Sequence, residues 1–165
     1  MDIIQLLLKE FDEEVAGLRK MLTLVTDENL GYKPHDKSMS MEVLSVHLAE
    51  LPGWIAMAMA TSELDFAATP YETTKVEQAA EILTLLDESV SKGRTALSGA
   101  TEADLLPSWT LRNGDQIYNT FTKYEVIRHA LGQIIHHRAQ LGVYLRLLNI
   151  PIPGVYGPSA DEMTF

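Results

Sequence analysis

The chain has 165 residues, 46% hydrophobic and 22% charged, with ten Gly and seven Pro, which is enough for one globular domain with a buried core. Lys plus Arg number 13 against 23 Asp plus Glu, a formal net charge of -10, and no short stretch is rich in Lys or Arg, so a duplex-binding protein is disfavoured. There is no cysteine, which excludes disulfides, thiolate metal ligands and a cysteine nucleophile.

No apolar run approaches the roughly 20 residues of a bilayer span. The start, Met1-Asp2-Ile3-Ile4-Gln5, lacks the basic region and cleavage site of a signal peptide. The cytoplasm is therefore the expected location.

Apolar residues three and four apart mark four amphipathic helices. The first runs from about Asp2 to Thr26, with Ile4, Leu8, Phe11, Val15, Leu18, Leu22 and Val25 in one stripe and Asp12, Glu13 and Lys20 off it. Asp2 is its expected N-cap. Asp27 to Ser38, with Gly31 and Pro34, reads as a loop. Ser40 or Ser38 then caps a second helix in which Leu44, His47, Leu51, Trp54 and Ala58 share a face. Pro52-Gly53 lies inside it, and the missing donor at Pro52 predicts a kink.

Thr61 to Thr74, with Pro70, is a connection. A third helix places Val76, Ala79, Leu83, Leu86, Val90 and Leu97 at heptad-like spacing and stops at Gly99. Thr101-Glu102-Ala103-Asp104 reads as a short capped turn. Asn113-Gly114 is a turn signal that can join two short extended pieces. The fourth helix is predicted from about Thr120 to Leu148, ending before Asn149-Ile150-Pro151-Ile152-Pro153-Gly154. The last dozen residues contain Ile152, Val155 and Tyr156 and are expected to pack on the body. Four long helices without a strong strand pattern predict an all-α bundle, one domain over 1–165, with middle connections long enough for crossovers.

The informative polar residues are His35, His47, His129, His136 and His137. At about 100° per residue, His129, Gln133, His136, His137 and Gln140 span an arc of only about 100° on the fourth helix. Val126, Ala130, Tyr144 and Leu148 form that helix's core-facing seam, so the polar arc is partly directed inward. His47 stands between Leu44 and Leu51 on the apolar face of the second helix. Imidazoles pointing inward from two helices are the arrangement with which bundles hold metals. The competing reading is a core histidine bonded to a carbonyl or carboxylate, and Glu50 lies one turn from His47.

No HExxH, P-loop, dinucleotide or GxSxG pattern is present. Glu13-Glu14 and Asp161-Glu162 read as solvated surface. Met57 and Met59, in a stretch with few charges, are candidates for a partner surface supporting a dimer. His35 falls in a polar loop and is expected to be exposed.

His137-Arg138-Ala139-Gln140-Leu141, continuing through Tyr144-Leu145-Arg146-Leu147 to Ile152-Pro153-Gly154-Val155-Tyr156-Gly157-Pro158-Ser159-Ala160-Asp161-Glu162, resembles the closing stretch of DinB-like proteins, the DinB/YfiT-like metalloenzymes. Lys33-Pro34-His35, Ser40-Met41 and His47-Leu48-Ala49-Glu50-Leu51-Pro52-Gly53-Trp54 resemble that family in order and spacing, so the likeness spans essentially the whole chain. It implies a four-helix bundle of up-down-down-up type, usually dimeric, with a divalent metal such as Zn or Ni on three histidines. One ligand comes from the second helix and two from the fourth, at i and i+4. Carried over, the metal positions are His47, Gln133 and His137, and Gln133 departs from the family's histidine. A glutamine carbonyl is a poorer donor to Zn or Ni than an imidazole. The alternatives are a weak third ligand at Gln133, a replacement by His129 or His136, or a site that has lost its metal.

The family name derives from a DNA-damage-inducible label and implies no DNA binding, in keeping with the charge. Relatives of this kind include thiol S-transferases and a thiol-dependent isomerase. The resemblance therefore implies a metal-dependent transferase or hydrolase acting on a small molecule, with a low-molecular-weight thiol as cosubstrate because the chain has no cysteine of its own. Tyr144 is a candidate for orienting substrate, against the alternative of a core tyrosine with its hydroxyl tied up. A non-catalytic dimeric bundle and a small-molecule binding module are the competing classes.

Overall fold

A computed structural model of the chain describes residues 2–69 and 74–163; Pro70 lies outside the described residues. Four helices carry the fold: α1 (Ile3–Leu22), α2 (Met41–Ala60), α3 (Ala79–Ser98) and α4 (Lys123–Leu147). Asp2 caps α1 by accepting from the Ile4 N–H, and Ser40 caps α2 by accepting from Val43. Thr122 and Glu125 form a reciprocal capping box at the start of α4. That box is why α4 begins at Lys123 and not at Thr120. Past its end, Asn149 takes a left-handed φ of 58°, the conformation that closes a helix C-terminus.

Cross-helix pairs fix the topology. Asp12 accepts two bonds from Arg94 at 2.9 and 3.0 Å, and Arg19 pairs with Asp87, so α1 and α3 run antiparallel. Glu10 pairs with Arg128 and Glu14 with Arg138, so α1 and α4 run parallel. Lys123 at the start of α4 donates to the Met59 carbonyl at the end of α2. The directions are therefore up, down, down, up. The two parallel neighbours, α2 and α3, are joined by a crossover.

The predicted stripe of α1 is the core. Ile4, Leu8, Phe11, Val15, Leu18, Leu22 and Val25 are all buried, against Leu44, Leu48 and Leu51 of α2, Ile82 and Leu86 of α3, and Ile127, Ile134 and Leu141 of α4. α1 stops four residues short of the predicted Thr26, where a 3-10 turn (Asp27–Asn29) takes over. Val76 precedes α3 and still packs on the core. Pro52 sits within a continuous α2. Its carbonyl fills the notch left by Gly93 of α3, where a methyl group would stand 2.2 Å from the oxygen.

Against the sequence expectation, α2 is long and apolar enough to span a bilayer by length and composition alone, with a mean hydropathy of 1.4. Glu42, His47 and Glu50 lie along it, and its apolar surface packs into the bundle core. Met57 and Met59 do not form an exposed patch; they pack against buried clusters.

To the all-α expectation the structure adds a small sheet of order β1 (Glu63–Asp65), β2 (Ser108–Asn113) and β3 (Gln116–Thr122). β2 and β3 form the hairpin foreshadowed by Asn113-Gly114, with Gly114 at φ 58°. β1 joins parallel to β2, and the Asp65 carboxylate accepts N–H bonds from Ala67 and Gly114. Those bonds hold its pKa below the usual aspartate value. Trp109, Ala58 and Val126 make a second small core beneath the sheet.

Candidate metal centre

His47 and His137 meet across the α2–α4 interface, their ring centroids 4.8 Å apart and the rings edge to face at 82°. The pairing follows from their positions. His47 shares a helix face with the buried Leu44 and Leu51, and His137 lies half-buried between Ile134 and Leu141. Both are screened from solvent without being sealed. Burial, followed by the proximity of His137, pushes the His47 pKa down to about 4. His47 is therefore neutral at physiological pH, the state in which an imidazole ligates metal.

His137 has an anchored ring. Its Nδ1 lies 2.8 Å from the Gln140 side-chain oxygen, and the Gln140 amide nitrogen lies 3.1 Å from Nε2 of His136. Gln133, half-buried, stands one turn before His137 on α4. The structure brings together His47 and His137, with Gln133 on the same side of its helix. His129 and His136 are exposed, His129 beside Phe121 at 6.0 Å. The inward arc is thus narrower than its spacing predicts. His35 is exposed in its loop. Glu50 accepts from the Thr74 hydroxyl at 2.6 Å. The Tyr144 hydroxyl donates to the Met39 carbonyl at 3.2 Å, so Tyr144 is a tied core residue.

A divalent cation would be held by His47 and His137, with the Gln133 carbonyl as a neutral third donor. The donor chemistry fits a two-imidazole centre with one weak position. Among the described residues no group of three His, Cys, Asp or Glu side chains could hold a metal.

The residue pairing misjudged from sequence is Glu13-Glu14. Glu13 is exposed, but Glu14 is buried, and so is Arg138. Arg138 donates to the Glu14 carbonyl (3.0 Å), pairs with its carboxylate (2.8 Å) and donates to the Tyr156 hydroxyl (2.6 Å). Tyr156 in turn donates to Glu14, and burial with that bond raises its pKa. Asp161 and Glu162 are exposed, as expected of solvated surface, and they also accept the Ile152 and Gly154 N–H groups, folding the C-terminal segment back on itself. The last residues pack on the body through Ile152 and Val155, as expected. A cleft of about 270 Å³ lies between that segment and α4, lined by Met21, Ile135 and Ala139.

A four-helix bundle of up-down-down-up topology with facing imidazoles between its second and fourth helices defines the class of this protein. The DinB family profile matches residues 2–164, and the chain belongs to the DinB family. It is 26% identical over 163 residues to the uncharacterised protein YrdA of Bacillus subtilis, covering 94% of this chain and 89% of that one. The DinB-like protein YjoA of B. subtilis has the same fold at a TM-score of 0.71 and 20% identity, over 90% of this chain and 96% of its own. YfiT of B. subtilis, described as a probable metal-dependent hydrolase with an unusual four-helix bundle topology, matches at 0.69 and 16% identity, over 90% and 89%. A mycothiol-dependent maleylpyruvate isomerase matches at 0.59 and 16% identity, over 84% of this chain and 60% of that one.

Proposed function

We propose that this DinB-family protein is a metal-dependent enzyme, a thiol S-transferase or hydrolase, with a divalent Zn or Ni ion held by His47, His137 and Gln133. The observation that carries the reading is the edge-to-face approach of His47 and His137 at 4.8 Å. YfiT's description as metal-dependent and the mycothiol dependence of the isomerase support the class of chemistry. A divalent ion there supplies Lewis acidity that brings a water or thiol toward ionisation at neutral pH. His47, kept neutral by burial, and His137, oriented by Gln140, supply the lone pairs. The thiol is a low-molecular-weight cosubstrate, because the chain has no cysteine.

A second reading is favoured by Gln133 itself: a bundle that keeps the fold and has lost a working ligand set. Elemental analysis and calorimetric titration with Zn²⁺ or Ni²⁺ separate the two. The first reading expects near one metal per chain, lost in His47→Ala and tightened in Gln133→His. Absence of metal from wild type with binding restored by Gln133→His would refute the enzyme reading in favour of the second.

A further inference from the structure

We propose that Gln140 is a positioning residue that fixes the tautomer of His137 and thereby keeps the ring's Nε2 lone pair available, an inference that rests on reading His137 as a ligand. The Gln140 carbonyl oxygen lies 2.8 Å from His137 Nδ1. A carbonyl oxygen only accepts, so Nδ1 carries the proton. A neutral imidazole has a single N–H, which leaves the lone pair on Nε2.

The other end of the same amide is engaged as well. The Gln140 nitrogen lies 3.1 Å from Nε2 of His136, and with the amide in that orientation it is the donor. Gln140 thus sits as a bridge, three residues beyond His137 and four beyond His136, the two spacings that bring side chains together on a helix surface. The two imidazoles it spans stand edge to face at 4.9 Å. All three side chains come from one helix, so the bridge forms without any tertiary rearrangement. An unrestrained neutral histidine in water favours the proton on Nε2, which would block that nitrogen. Ligating histidines characteristically donate their second N–H to an outer partner, and losing that partner costs about 10–100-fold in metal affinity. Sequence patterning placed Gln140 in the polar arc without distinguishing it from a surface residue. The bonds to two neighbouring rings give it this role.

The test is long-range ¹H–¹⁵N correlation NMR of the imidazoles in metal-free protein at pH 8, with Zn²⁺ titration alongside, for wild type, Gln140→Leu and Gln140→Glu. Gln140 is exposed, so both variants keep the core intact. Wild type is expected to carry the His137 proton on Nδ1. Gln140→Leu should move it toward Nε2 and weaken Zn²⁺ binding about 10–100-fold. Gln140→Glu retains an acceptor and should restore both the tautomer and most of the affinity. A wild-type His137 protonated on Nε2, or a Gln140→Leu protein with unchanged tautomer, overturns the inference. If the tautomer switches as stated but no form binds Zn²⁺, the positioning role stands and the metal reading falls.

Discussion

Arg138→Met is the perturbation whose size follows most directly from the structure. The guanidinium is only 4% exposed and pairs with a Glu14 side chain that is 8% exposed. Removing it leaves the Glu14 carboxylate buried and uncompensated, with only the neutral Tyr156 hydroxyl still donating to it. Breaking a buried pair from one side costs about 3–5 kcal/mol, because the surviving charge keeps its desolvation penalty. For a domain of this length that lowers Tm by about 6–20 °C. Glu14→Gln should cost a similar amount by stranding the arginine. The double variant Glu14→Leu/Arg138→Met removes both charges together and should lose much less than the sum of the singles. Urea and thermal denaturation followed by circular dichroism, with chelator present, measure all three. A loss below about 1 kcal/mol for Arg138→Met, the value of an exposed pair, or additive losses in the double variant, would refute the argument.

Two glycines in helices should respond in opposite directions. Gly93→Ala places a methyl group 2.2 Å from the Pro52 carbonyl oxygen, and the forced separation of α2 and α3 should cost about 1–3 kcal/mol, outweighing the gain of about 1 kcal/mol in helix propensity. Gly132→Ala meets no atom within 4 Å and should stabilise by about 0.5–1 kcal/mol; urea midpoints decide both signs. His47 supplies the pH dependence. Its folded pKa of about 4 lies below the unfolded 6.5, so the unfolded chain takes up the proton first and stability falls as pH drops from 6.5 toward 4. The full shift corresponds to about 3 kcal/mol, reduced by solvent access to about 1–1.5 kcal/mol. In chelator, His47→Gln should flatten the denaturation midpoint over that range, and an unchanged slope would contradict the assignment.

The helices were legible because each buries a stripe at helical spacing and ends on readable chemistry: Asp2, Ser40, Gly99 and the Pro-rich stretch after Leu148. β1 was not legible. Glu63–Asp65 is three residues long, too short for an alternating pattern, and its position depends on the Asp65 carboxylate reaching the distant Gly114 N–H. Glu14 was misread for the opposite reason. Beside Glu13 it looks like part of a charged run, yet it lies three residues after Phe11 and four before Leu18, on the buried stripe. Gly17, one turn on, leaves the room the pair occupies, since a methyl group there would stand 2.7 Å from the Arg138 guanidinium.

In the candidate site, His47 could be found from its place on an apolar helix face and His137 from the family resemblance, whereas the division of the α4 arc could not. An arc of about 100° is wide enough to run from core to solvent, and only helix rotation decides which members face inward. The structure shows what fixes that rotation. Arg138 follows His137, so the two side chains diverge by about 100° around α4; one engages Glu14 of α1 and the other meets His47 of α2. The buried ion pair is a directional contact at 2.8 Å, unlike the apolar seam, which tolerates small turns of the helix. Holding Arg138 on α1 therefore sets the angle at which His137 meets α2, and it turns His136 outward to the Gln140 bridge. The buried pair and the paired imidazoles are two consequences of one helix setting.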